Sequence, residues 1–134
     1  MLADPFVLLL AGHYAGDYLF QSDHMSEHKA EKSLTGWLAN GAHAACHIGV
    51  TLVLLLSARA LIGLDISATG TCAALAWVGL SHGLIDRRWI VERWMRHTGS
   101  TVYFESGRGA PMVDQALHIV AGITPAALLL TALH

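Results

Sequence analysis

Residues 11–21 read AGHYAGDYLFQ, which sets a histidine and an aspartate inside an apolar run, with a glutamine behind them. His13, Asp17 and Gln21 follow one another at intervals of four. On an α-helix four residues overshoot a full turn by only about 40°, so the three form one stripe. That stripe is either the wet face of a soluble helix or a polar lining inside a membrane helix. The choice between them decides the fold.

Composition favours the membrane. Hydrophobic residues make up 54% of the 134-residue chain and charged residues only 13%, against about 25% charged in an ordinary soluble domain. The formal net charge of −2 gives no sign of a nucleic-acid partner. Cys46 and Cys72 lie in apolar surroundings without a CxxC spacing, and read as free, buried thiols. Asp4 stands where a signal peptide would be basic, and no cleavage site follows, so the first segment reads as a mature helix.

Four apolar segments are expected, at about 5–22, 38–64, 66–97 and 111–133, within one integral-membrane domain covering 1–134. Asp4 is a suitable N-cap and Pro5 suits the first helical position. IGVTLVLLLSA (48–58) has no charge at all. The third segment continues past Ile85 as RRWIVERWMRH, an interfacial pattern that Gly99 ends. Pro125 is expected to kink the fourth. Crossing a bilayer takes about 20 apolar residues. The second and third segments meet this; the first and fourth are marginal. Gly12 with Gly16, and Gly79 with Gly83, allow close helix packing in lipid. The fold class is therefore all-α, a four-helix transmembrane bundle of up-down topology with an interfacial extension after its third helix. Lys29, Lys32, Arg87, Arg88, Arg93, Arg96 and Arg108 fall on one side and only Arg59 on the other. The positive-inside rule puts both termini outside a bacterial inner membrane.

The spacing of the first stripe recurs once per segment: His13 with Asp17, His43 with His47, His82 with Asp86, and Asp114 with His118. In an up-down arrangement all four pairs fall at similar depth, toward the cytoplasmic side. An ionisable group inside a membrane segment costs about 2.5–3.5 kcal/mol on insertion scales, so three aspartates there need compensation. Each pair alone is more often a structural hydrogen bond than a metal site. The set of eight nitrogen and carboxylate donors suits one or two divalent ions, zinc before others. Haem ligation and a metal-free polar network are the alternatives. The apolar segments, taken to Ile85 in the third, hold no glutamate, unlike ferritin-like di-iron proteins. Gln21 and Gln115 are candidates for supporting or substrate contacts. His24, His28 and His97 read as solvated. Arg87 and Arg88 suit an anionic head group or simple positive-inside anchoring, and Tyr103 and Phe104 a lid or an interfacial belt.

GHYAGDYLFQSD (12–23), a lysine at 29 or 32, a histidine at 43 or 47, SHGLIDRR (81–88) and DQALH (114–118) together resemble the small bacterial membrane family catalogued as domain of unknown function 3307. The resemblance covers nearly the whole chain. It implies that His13, Asp17, Gln21, His82, Asp86, Asp114, Gln115 and His118 fall on the family's polar positions. A wider group of similar His/Asp-bearing membrane proteins carries the label of metal-dependent hydrolases, which is analogy only.

The expected function is that of a metal-dependent hydrolase near the cytoplasmic leaflet, acting on a lipid-linked or phosphate-bearing substrate. Asp17 or Asp86 serves as general base and the other as ligand. The alternative is a non-catalytic, metal- or haem-stabilised subunit bound to other membrane proteins. A permease ranks last, because residues 5–12 offer no polar group to continue a path beyond His13.

Overall fold

Serines set the starts of two of the long apolar helices. Ser33 Oγ accepts the Gly36 N–H at 3.0 Å and opens α3 (Leu34–Ile62). Ser67 Oγ accepts the Gly70 N–H at 2.9 Å and opens α4 (Ala68–Ile85). Each serine satisfies an N–H that has no partner inside the helix. Gly63, at φ 68°, ends α3 in the left-handed conformation that glycine adopts without a Cβ clash.

These helices belong to a computed structural model that describes residues 2–133, all-helical among those residues. Helix α1 (Ala3–Tyr18) begins ahead of Pro5, with Leu2 and not Asp4 at the cap. Asp4 lies in the first turn, where a carboxylate suits the helix dipole. A short helix, α2 (Asp23–His28), fills the first polar connection. The 66–97 run, expected as one piece, is two helices. Arg88 takes a left-handed φ of 59° and turns the chain from α4 into α5 (Trp89–His97). Helix α5 lays Val91 and Met95 against Ile85, and Gly99, at φ 77°, follows its end. The second polar connection contains α6 (Thr101–Glu105).

The last stretch is α7 (Gly109–Leu117), a π-helical turn (His118–Ile123) and α8 (Thr124–Ala132). Pro125 has no N–H, so the carbonyl of Ala121, four residues earlier, loses its helical partner. Trp77 Nε1 donates to that carbonyl at 2.9 Å instead. The distortion therefore sits ahead of the proline, as a widened turn.

Neighbouring long helices run antiparallel. Gly12 faces Thr51 and Gly16 faces His47, which sets α1 against α3. A Cβ on Gly12 would come 2.7 Å from Thr51 Oγ1, and one on Gly16 would collide with the His47 ring. Asn40 Nδ2 donates to the Gly83 carbonyl at 2.8 Å, joining the start of α3 to the end of α4. Ser67 Oγ donates to the Leu133 carbonyl, joining the start of α4 to the end of α8.

Burial is inverted relative to a soluble domain. His13, His43, His47, His82, Asp86 and His118 are buried, while Val53, Leu80 and Val120 are 63%, 66% and 68% exposed. Large exposed apolar surface rimmed by polar ends marks contact with something other than water. Three helical stretches, Leu34–Ile62, Ala68–Ile85 and Gly109–Ala132, are long and apolar enough to cross a membrane. Helix α1, with 16 residues, is shorter. The cysteines are free; Cys46 is half-buried and Cys72 exposed, so neither is the buried thiol expected.

Candidate metal centre

Helices α1, α3, α4 and α7 with its π-turn each bring donors to one buried place. His43 Nε2 lies 3.3 Å from His47 Nε2 and 3.1 Å from His82 Nε2. Asp17 Oδ1 is 3.2 Å from His43 Nε2, 3.2 Å from His47 Nε2 and 3.7 Å from His82 Nε2. Asp86 Oδ2 is 3.2 Å from the Nε2 atoms of both His43 and His82. An imidazole nitrogen carries either one hydrogen or one lone pair, so it can satisfy one such partner. His43 Nε2 faces several at once.

A cation among these atoms resolves the conflict. Four donors at about 2.0–2.2 Å from a tetrahedral ion stand about 3.4 Å apart, the spacing found here. Two groups of donors have this compactness: Asp17, His43, His47 and His82, and then His82, Asp86 and His118. His82 belongs to both. His118 carries a further sign of readiness. Its Nδ1 sits 3.0 Å from the Asp114 carbonyl. A carbonyl only accepts, so Nδ1 holds the hydrogen and Nε2 presents a lone pair. That Nε2 is buried and has no hydrogen-bond partner. Anchoring of one ring nitrogen on a carbonyl is how ligating histidines are commonly oriented. The residues therefore fit a divalent ion.

Of the eight donors expected from the spacing, six fall in these two groups. His13 and Asp114 do not. His13 Nε2 lies 3.0 Å from Gln115 Oε1, and Gln115 Nε2 donates to Asp17 Oδ2 at 3.1 Å. Gln115 thus holds Asp17 with one end and His13 with the other. Asp114 is half-buried beside His118, with Oδ2 3.4 Å from Nδ1. Gln21 falls past the end of α1, and its amide donates back to the Asp17 carbonyl at 3.3 Å. His24 and His28 stack on each other in exposed α2.

Two cations differ from their sequence reading. Lys29, from the connection after α2, buries its ammonium 2.9 Å from Asp86 Oδ2 and 3.2 Å from His43 Nε2. Arg87 is buried too. It donates from Nη1 to the Lys29 carbonyl at 2.9 Å, and from Nη2 to the Glu31 carbonyl. Its guanidinium lies 4.0 Å over the Trp37 ring. Both Nη groups thus go to the 29–31 backbone. The sequence signal for both was only a basic residue near a helix end.

A cleft of about 630 Å³ opens beside the centre, lined among others by Lys29, Lys32, Asp86, Arg88, Trp89 and Asp114. Phe104 forms part of its wall and packs onto the Ile85, Val91 and Met95 cluster. Asp86 is the donor common to the cleft and the centre.

An inverted helical protein with a buried histidine–carboxylate cluster is the class these features define. The chain belongs to the family described as protein of unknown function DUF3307, whose model matches residues 6–132. No curated protein and no solved structure matches it.

Proposed function

We propose that the chain is an integral-membrane, metal-dependent hydrolase, a single domain built as an up-down four-helix transmembrane bundle. In this reading it lies in the bacterial inner membrane with both termini outside, and acts near the cytoplasmic leaflet on a lipid-linked or phosphate-bearing substrate. The observation that carries the reading is the meeting of the His43, His47 and His82 Nε2 atoms with Asp17 and Asp86, the last of which also lines the neighbouring cleft with Lys32 and Arg88.

Three of Asp17, His43, His47 and His82 hold the ion and leave a position open, and their nitrogen and oxygen donors suit zinc. When bound, such an ion supplies Lewis acidity and a water of lowered pKa. Asp86, adjacent to the donors and lining the cleft, would serve as general base there. Lys32 and Arg88 at the cleft receive an anionic group, and the neighbouring apolar surface receives a lipid tail. The space that His13, His47, His82 and His118 line together with Leu9 and Val78 is about 10 Å³, close to one water, which supports an ion over haem.

A second reading has its own support. Four protein donors form the closed coordination of structural zinc, which suits a non-catalytic subunit of a larger membrane complex. Elemental analysis of detergent-purified protein tests the metal. Wild type is expected to carry zinc, and His82→Ala to lose it. A wild type that neither carries nor takes up a divalent ion overturns both readings. Asp86→Asn separates them: with the ion retained, it abolishes hydrolysis of a panel of phosphate-ester amphiphiles if the hydrolase reading holds. Wild type inactive on that panel, with its ion bound, favours the subunit.

A further inference from the structure

We infer that Lys29 takes the place of a second cation in the centre, so that the chain binds one divalent ion and not two. The inference rests on the metal-binding reading above and settles the count that the donor set alone leaves open. Six donors in two groups, with His82 common to both, are enough for a pair of ions. The Lys29 ammonium stands between the groups, touching His43 of the first and Asp86 of the second. An ammonium has three donors and no acceptor. It therefore stands on an Asp86 oxygen that a second ion, held by His82, Asp86 and His118, would need, and its approach to His43 brings its charge up against the first group.

The placement is built and not incidental. Lys29 is only 8% exposed, and a buried charge persists only where it is paired. Arg87 holds the Lys29 and Glu31 carbonyls, so the backbone that delivers the ammonium is clamped by a second buried cation. Charge balance points the same way. With Asp17 and Asp86 ionised, one divalent ion plus Lys29 leaves a single excess positive charge. Adding a second ion beside Lys29 would leave three in a low-dielectric interior. Exchanging the ammonium for a second ion with a bridging hydroxide returns the balance to a single positive charge.

The test is zinc per chain in the full-length, detergent-purified protein, loaded with excess zinc, desalted and measured by elemental mass spectrometry. Wild type and Lys29→Arg are expected to hold one ion. Lys29→Ala, which removes both charge and bulk, is expected to show a twofold rise to two. Lys29→Ser repeats that arm if the alanine variant is not monodisperse. Two ions in wild type, or one in the neutral variants, overturns the inference and leaves the metal reading intact. No ion in any of the proteins overturns both.

Discussion

The same long helices are packed in two different ways along their length. Toward one end, Leu9, Leu55, Ala74, Ala126 and Leu130 fit together with almost no exposed surface. Toward the other, the facing positions carry His43, His47, His82, His118, Asp17 and Asp86. The apolar end is complete as it stands, since aliphatic side chains make no demand beyond shape. The polar end is incomplete as protein alone: its nitrogens face one another, and His118 Nε2 has no partner. Buried polar networks rigidify only when every member is satisfied. The difference leaves one end complete without a ligand and the other with a set of donors that could hold a cation.

The comparison can be broken most forcefully at the apolar end. Leu55 is fully buried, and Leu55→Ala is expected to cost about 2–5 kcal/mol of stability. Thermal unfolding in detergent should show the same loss in zinc-loaded and chelated protein, with zinc per chain unchanged. A loss seen only in the loaded protein would mean that the ends are not separable. Gln115→Leu probes the polar end. It removes the amide that donates to Asp17 and the oxygen facing His13. Loss of such a supporting contact lowers metal affinity about 10–100-fold, or about 1.4–2.7 kcal/mol. Competition with a chelator measures it, and the chelated protein should melt as wild type does. Unaltered affinity would detach Gln115 from the centre. The smallest effect belongs to Ser67→Ala, which removes the cap of α4 at the apolar end. About 1 kcal/mol of stability should be lost, with zinc affinity unaffected.

Helical periodicity made the polar stripe of each long helix legible, because residues four apart share a face whatever the tertiary packing. The same local rule could not rank the members of a stripe. His13 and Asp114 obey the spacing as well as His82 does, but each lies one helical turn away from the donor it pairs with, His13 against Gln115 and Asp114 at the cleft. Lys29 was out of reach of any local pattern. It comes to the centre only because α2 folds the chain back over α3 and Arg87, distant in sequence, pins it there. Arg87 itself looked like a surface anchor because nothing in SHGLIDRR shows that two carbonyls and the Trp37 ring await it. The break at Arg88 was equally silent, since arginine is not a residue that announces a left-handed φ.

The π-turn has a mechanical meaning. A straight rod through residues 109–132 would pass any tilt at its outer tip straight into the tightly fitted aliphatic layer. The widened turn at His118–Ile123, held from the side by the Trp77 indole, works as an elbow instead. The stretch bearing Asp114 and Gln115 thereby takes its own course against α5 and α6, while Ala126, Ala127 and Leu130 beyond the bend sit in the aliphatic layer.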